Sequence, residues 1–342
     1  MSAGSRRINA QEGLGRTESN RSSSQTVTGL FALALCACAF ETGAQPAAQD
    51  QPPYFTLTER SSVALPFETW AHGLSALAFD NPTKAPNRLL ALSDTGQVTV
   101  LTMEFDQAGT LQEARLVDSF PLAIGPAPDT HTGDIEAAVQ VQDNEWFAAL
   151  ERPARLAVYS GRGFSAFARD PAIVAPPAGL TDQPENTGIE AVTQLPDGSL
   201  MLFAEAAKSG IHPLWIGNPD AWQEFGYRSD SGYAPVEAVY HPCGGVIVLE
   251  RVANLLAGLA IRLTYIPEEW LARRDQERTV NPVPIGAVEP TEGWGNFEGM
   301  TLRSRPGQSC ADPVDLFMVS DDNALRLLPR LLLHYELTLT AK

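Results

Sequence analysis

The chain has 342 residues, more than one ordinary hydrophobic core accommodates unless repeats build it, and its 44% hydrophobic content is that of a globular protein. Its formal charge is −17, from 24 basic and 41 acidic residues; residues 1–50 hold four of each sign, so the acidic excess belongs entirely to the remainder. Such a surface repels nucleic-acid phosphates and anionic lipid, which excludes nucleic acid as a partner.

The first predicted element is an apolar run, Val27 to Phe40 (VTGLFALALCACAF), that follows Arg21 and leads into a small, polar stretch. It is too short to span a bilayer and reads as the hydrophobic region of a secretory signal. Leu35-Cys36-Ala37-Cys38 is close to a lipobox, with Cys38 as the candidate lipidated cysteine. A lipid-anchored form and a cleaved periplasmic form both remain open, and membrane contact is expected only through such an anchor. Residues 1–50 are therefore read as leader and linker, and residues 51–342 as a single domain of an exported protein.

From Tyr54-Phe55-Thr56-Leu57-Thr58, an edge strand, the chain becomes strands of four to eight residues separated by Pro, Gly, Asp and Asn. Leu89 to Leu92, Val98 to Met103, Trp146 to Leu150, Leu200 to Ala204, Gly245 to Leu249 and Leu316 to Val319 are the clearest. Asp94-Thr95-Gly96 and Pro196-Asp197-Gly198 mark turns. One short helix is predicted, over Pro267 to Arg274. The final Leu331 to Thr340 stretch alternates as a strand and can share a blade with the N-terminal strand, closing a ring.

A short phrase recurs along these strands: Ile135-Glu136-Ala137-Ala138, Ile189-Glu190-Ala191-Val192, Val236-Glu237-Ala238-Val239 and Phe297-Glu298-Gly299-Met300. Leu74-Ser75-Ala76-Leu77 has the same shape with serine for the acid, and the spacings are 61, 54, 47 and 61 residues. After each phrase a second apolar run also ends in an acid, giving Asp94, Glu151, Glu205, Glu250 and Asp321. The fold class is therefore all-β, a β-propeller. At roughly 45–50 residues per blade the domain predicts six blades, with the five countable repeats making five the fallback.

Acids at matched positions of equivalent strands should face one region, the mouth of the central channel. Like charges there raise one another's pKa unless a cation neutralises them. Hard oxygen donors suit Ca²⁺ first and Mg²⁺ second. The candidate metal ligands are Glu136, Glu190, Glu237, Glu298, Asp94 and Asp321. The competing reading is a structural ring, in which Glu151-Arg152 and Glu250-Arg251 form ion pairs between blades. Arg152 and Arg251 are equally suited to hold a phosphate or a developing negative charge. His131, in a polar loop beside Asp134 and Glu136, is the candidate general base, although loop histidines are commonly just solvated. No Gly-x-Ser-x-Gly elbow, Gly-rich phosphate loop or Cys-x-x-Cys pair is present. Cys243 and Cys310 are either one disulfide or two separate thiols.

In order along the chain, Gly73-Leu74-Ser75-Ala76-Leu77, Leu92-Ser93-Asp94-Thr95-Gly96, Asp134-Ile135-Glu136-Ala137 and Leu150-Glu151-Arg152 come first. They are followed by Asn186-Thr187-Gly188-Ile189-Glu190-Ala191, Leu249-Glu250-Arg251, Asn296-Phe297-Glu298-Gly299-Met300 and Ser320-Asp321-Asp322-Asn323. Together these resemble the phytase-like domain of bacterial exported proteins described as "esterase-like activity of phytase", over roughly residues 68–335. The resemblance implies an exported β-propeller, metal-dependent, loosely assigned to phosphoester or ester hydrolysis. The Asp-rich motif and lysine-bearing phosphate site of β-propeller phytases have no counterpart here, which argues against inositol hexakisphosphate as substrate. Two functions are expected: a metal-dependent hydrolase of small-molecule esters or phosphoesters, or a non-catalytic binding propeller whose acids form an ion site or a structural ring.

Overall fold

A computed structural model describes residues 55–65, 72–81, 84–125, 133–152, 154–180, 188–230, 232–254, 258–291, 295–304, 307–310, 312–322 and 329–339. Residues 51–342 form one compact unit, and the apolar run with its lipobox lies outside the described residues.

Strand β1 (Phe55–Ala64) comes first and is used last. The first blade follows it, β2 (Leu74–Phe79), β3 (Arg88–Ser93), β4 (Gln97–Phe105) and β5 (Leu111–Pro121), an antiparallel meander. The second is β6 (Ile135–Gln142), β7 (Glu145–Leu150), β8 (Arg155–Ser160) and β9 (Ala172–Val174), with a 3₁₀ turn over Gly163–Ala168 before β9. The third is β10 (Ile189–Gln194), β11 (Leu200–Ala204), β12 (Ile211–Asn218) and β13 (Ala221–Arg228). The fourth opens with β14 (Ala234–Tyr240), β15 (Val246–Asn254) and β16 (Gly258–Ile266). Helix α1 (Glu268–Arg273) then leads to β17 (Thr279–Val280), which adds a parallel fifth strand to the third blade, and β18 (Val283–Ala287) returns to finish the fourth. The fifth blade is β19 (Asn296–Arg303), β20 (Val314–Asp321), β21 (Leu331–Leu339) and, outermost, β1, paired from Phe55 with Leu339 to Ala64 with Leu331.

The propeller thus has five blades, not six. The repeat spacing averages more than the assumed 45–50 residues because long outer strands, the 3₁₀ turn and the α1 excursion lengthen individual blades. The closing pair of N- and C-terminal strands and the single helix stand where the sequence put them.

The apolar runs are explained by how the blades stack. Each interface between neighbouring blades holds its own hydrophobic cluster, and alternate residues of one strand serve opposite interfaces. Leu200, Leu202 and Ala204 of β11 pack towards the second blade, whereas Met201 and Phe203 pack towards the fourth. Both faces of every sheet are buried, so the inner strands read as continuous hydrophobic segments rather than alternating ones. Cys243, in the β14–β15 turn, and Cys310, in the β19–β20 loop, form a disulfide that ties the fourth blade to the fifth. That bond resolves the alternative the sequence left open.

An acid ring at the channel mouth

Since both faces of each sheet are occupied by neighbouring blades, strand alternation alone cannot aim side chains into the channel. A β-bulge does it. Each inner strand slips register near its start against its neighbour, leaving Ser75, Glu136, Glu190, Val236 and Glu298 unpaired in the five blades. An unpaired bulge residue is re-aimed relative to the regular pleat. The second strands end alongside, placing Asp94, Glu151, Glu205, Arg251 and Asp321 at one equivalent level.

The fourth blade is therefore one residue out of step with the sequence repeat. Its bulge residue is Val236, and Glu237 takes the level held elsewhere by Ala76, Ala137, Ala191 and Gly299. Glu237 lies deeper in the channel, fully buried, in a cavity of about 300 Å³ lined by all five inner strands. Burial pushes its pKa well up, against the backbone amides of Ala238, Met300 and Val192, which favour its charged form. Likewise Arg251, not Glu250, stands at the second-strand level. Glu250 is buried between blades, accepting hydrogen bonds from Arg262 Nε (2.5 Å), Ser229 Oγ (2.5 Å) and Tyr227 Oη (3.0 Å). The sequence repeat had set Glu237 with Glu136, Glu190 and Glu298, and Glu250 with the second row; neither belongs to the ring.

Around the mouth, Asp134, Glu136 and Glu151 each offer an oxygen within 4.8 Å of the other two. Asp134 Oδ2 accepts the Nε–H of Arg152, whose side chain is half-exposed, while its Oδ1 is buried without a hydrogen-bond partner. Burial raises the pKa of Glu136 well above the ordinary value, and Glu190, Asp134, Glu298 and Glu151 push it further. Glu190 is raised in the same way by burial, then by Glu205, Glu151 and Glu298, with Arg251 opposing. Asp94 is pushed up to about 7 by burial and by Asp321 and Asp134, with Arg152 opposing.

Arg251 joins three blades. It donates to Glu298 Oε1 and to Asn296 Oδ1 (2.8 Å), and stands 3.5 Å from Glu205 Oε1. The ion pair would lower Glu298, yet its pKa rises to about 7 because burial is the larger effect. Asn296 Nδ2 completes the link, donating to Glu298 Oε1 (2.7 Å) and reaching Asp321 Oδ2 at 3.4 Å.

Of the residues singled out in the sequence, Asp94, Glu136, Glu190, Glu298, Asp321, Arg152 and Arg251 meet at the mouth, and Glu237 does not. His131 lies outside the described residues. Asp134, Asn296 and His72 are additions from the structure. Asp134 and Asn296 begin the first and last acid-bearing phrases, two residues before their glutamates, but nothing in the repeat distinguishes them from Gly188 or Ala234 at that level. His72 Nδ1 lies 2.9 Å from Asp322 Oδ2, and its chain neighbour Gly73 accepts the Asp94 amide (2.8 Å). At Gly73, with φ +66°, a Cβ would come within 1.7 Å of Asp94 Oδ1, so only glycine lets that carboxyl lie against the inner strand.

The donors are all oxygen, and among the described residues the carboxylates at this end of the channel outnumber the guanidinium groups. A hard divalent cation fits such a set, and the buried, unpartnered Asp134 Oδ1 is the group that would gain most from one.

No curated protein matches the chain. Among solved structures it is similar to a protein of unknown function from Bacteroides caccae, at 11% identity and TM-score 0.33, over 68% of this chain and 64% of that one, less than two thirds of that neighbour's length. It is also similar to a putative oxidoreductase (glucose dehydrogenase) from Thermus thermophilus, at 11% identity and TM-score 0.38, over 82% of this chain and 99% of that one. A protein of unknown function from Dyadobacter fermentans shares 11% identity, at TM-score 0.42, over 82% of this chain and 76% of that one. A family model described as "Phytase-like: Esterase-like activity of phytase" matches residues 69–324, a span that takes in all five inner strands, and this five-bladed propeller belongs to that phytase-like family.

Proposed function

We propose that the chain is a cation-dependent hydrolase of small-molecule carboxylic esters or phosphoesters, working at the acid ring. The observation that carries this reading is the packing of Asp134, Glu136 and Glu151 within 4.8 Å of one another, with an unpartnered buried oxygen on Asp134. Crowded buried carboxylates are costly unless they share protons or a cation, and proteins keep them at sites where that cost serves chemistry. Asp134, Glu136, Glu151 and the adjoining Glu190 would hold Ca²⁺, with Mg²⁺ the second choice. When bound, such an ion polarises a substrate oxygen and acidifies water. The chain's own groups do the rest. Arg152, half-exposed, stabilises the negative charge that develops on the attacked ester. Asp94 stands beside the site, its pKa raised by burial and by Asp321 and Asp134 while no cation neutralises them. The disulfide and the secretory-type leader support an exported, oxidising location, with or without a lipid anchor.

A non-catalytic binding propeller is the second reading, and one observation favours it. Arg251 links Glu205, Glu298 and Asn296 across blades as an inter-blade spacer would. One experiment separates the two. Calorimetric titration of the chelated protein with Ca²⁺ is paired with turnover of p-nitrophenyl acetate, p-nitrophenyl phosphate, bis-p-nitrophenyl phosphate and a lactone, with and without chelator. Near-stoichiometric Ca²⁺ and chelator-sensitive turnover are expected. Absence of both would return the acids to a structural ring.

A further inference from the structure

Among the described residues at the mouth, His72 stands apart from the acids and arginines. Four histidines lie among the described residues, and three of them are core groups. His212 sits between the carbonyls of Ala204 (3.2 Å) and Tyr233 (3.0 Å). His334 bonds Asp315 at 3.1 Å and stacks on Phe317. His241 accepts the Cys243 amide (3.2 Å), and burial depresses its pKa to about 4. His72 alone presents its ring to solvent, with its side chain 43% exposed.

It is nevertheless fixed in place. The Asp322 carboxylate on its Nδ1 is fully buried and has Arg330 Nε at 3.3 Å, itself fully buried. The His72 carbonyl accepts the hydroxyl of Ser93, the residue before Asp94. A carboxylate already facing a guanidinium accepts hydrogen bonds rather than donating them. Nδ1 therefore carries a hydrogen towards Asp322, and proton exchange falls to Nε2. An imidazole oriented by a buried acid and partly open to solvent has the arrangement of a general base.

We propose that His72 is the general base of the ring, the part that the sequence offered to His131. The proposal rests on the hydrolase reading above. His72 Nε2 takes a proton from water as the water oxygen bonds to the ester carbon or phosphorus. The bond to the leaving oxygen breaks, and that oxygen takes a proton from solvent. The imidazolium then gives up its proton to solvent, and the base is reset.

The test is steady-state hydrolysis of p-nitrophenyl acetate and bis-p-nitrophenyl phosphate by the full chain and its His72→Ala variant, both in saturating Ca²⁺. A loss of kcat of about 100- to 1,000-fold is expected, with KM within about threefold. Ca²⁺ affinity should be unchanged by calorimetry, and added imidazole should restore part of the lost turnover, which a merely structural histidine would not allow. Turnover by His72→Ala within about threefold of the wild type overturns the proposal and leaves the hydrolase reading standing. So does a loss that imidazole fails to rescue and that comes with weakened Ca²⁺ binding. A wild-type chain that turns over neither ester defeats the hydrolase reading itself, and the base with it.

Discussion

Replacing Glu298 by Gln removes one titrating group from the ring while keeping its shape, and the raised pKa dictates how the effect varies with pH. Glu298 moves from an ordinary 4.5 to about 7 because burial outweighs its ion pair with Arg251. Well below pH 4.5 the group is protonated in both folded and unfolded chains. Between pH 4.5 and 7 the folded chain keeps a proton that the unfolded chain has released. The stability it contributes is therefore present at low pH and lost as pH rises through 7. A rise of about 2.5 units at about 1.4 kcal/mol per unit corresponds to about 3 kcal/mol, shared with the other acids in so coupled a ring. Gln does not titrate, so the wild type should lose about 3 kcal/mol relative to Glu298→Gln between pH 5 and pH 8. Urea unfolding of both proteins in chelator, at four pH values across that range, measures the difference. His241, whose pKa of about 4 gives an opposite trend, cancels in the comparison. A wild type that holds level with Glu298→Gln across this range, or gains on it as pH rises, would show that Arg251, not burial, governs Glu298, and would refute the reasoning.

The disulfide closes a 67-residue separation between the fourth and fifth blades, so Cys243→Ser should cost about 2–4 kcal/mol under non-reducing conditions. Thermal unfolding indistinguishable from the wild type would mean that the link contributes nothing to stability. Glu237→Gln should leave Ca²⁺ affinity unchanged, because Glu237 lies below the ring. It should also make the chain more stable at pH 8 than the wild type, since burial raises that carboxyl's pKa and ionising it is costly. A tenfold loss of Ca²⁺ affinity in calorimetry would place Glu237 back among the ligands.

The repeating phrase was legible in the sequence because each blade needs the same inner strand, and the closing pair because the terminal strands alternate. Blade number was less so, since the α1 excursion and long outer strands change the period without changing the count. The acids were legible as a set, but the reason they converge was not. Alternation in a sheet buried on both faces aims side chains at neighbouring blades; only the bulge turns them into the channel. A bulge leaves little trace in residue types. That is why Glu237 read as one of four equivalents although its strand slips at Val236. His72 precedes the first repeat as His131 precedes the second, and nothing local favours it: its partner Asp322 is 250 positions away, and no local pattern announces that contact.

The slip in the fourth blade has a chemical consequence. By moving its glutamate below the ring and bringing Arg251 up to the level of Asp94, Glu151, Glu205 and Asp321, it gives the mouth two unequal sides. Arg251 touches Glu298 and Glu205 and opposes the rise of Glu190. The largest influences on Glu136 after burial are acids, and among the described residues Arg152, half-exposed and bound to Asp134, is the cation that offsets them. A fivefold ring of like acids would spread its need for a cation evenly around the axis. Here the need falls on Asp134, Glu136 and Glu151, off the axis and between the first and third blades. A substrate drawn to a cation there would meet Arg152 beside it, with Asp94 and His72 on the adjoining first blade. If the mouth is a hydrolytic site, the asymmetry that broke the sequence repeat would give it a direction of attack, which a symmetric ring of carboxylates lacks.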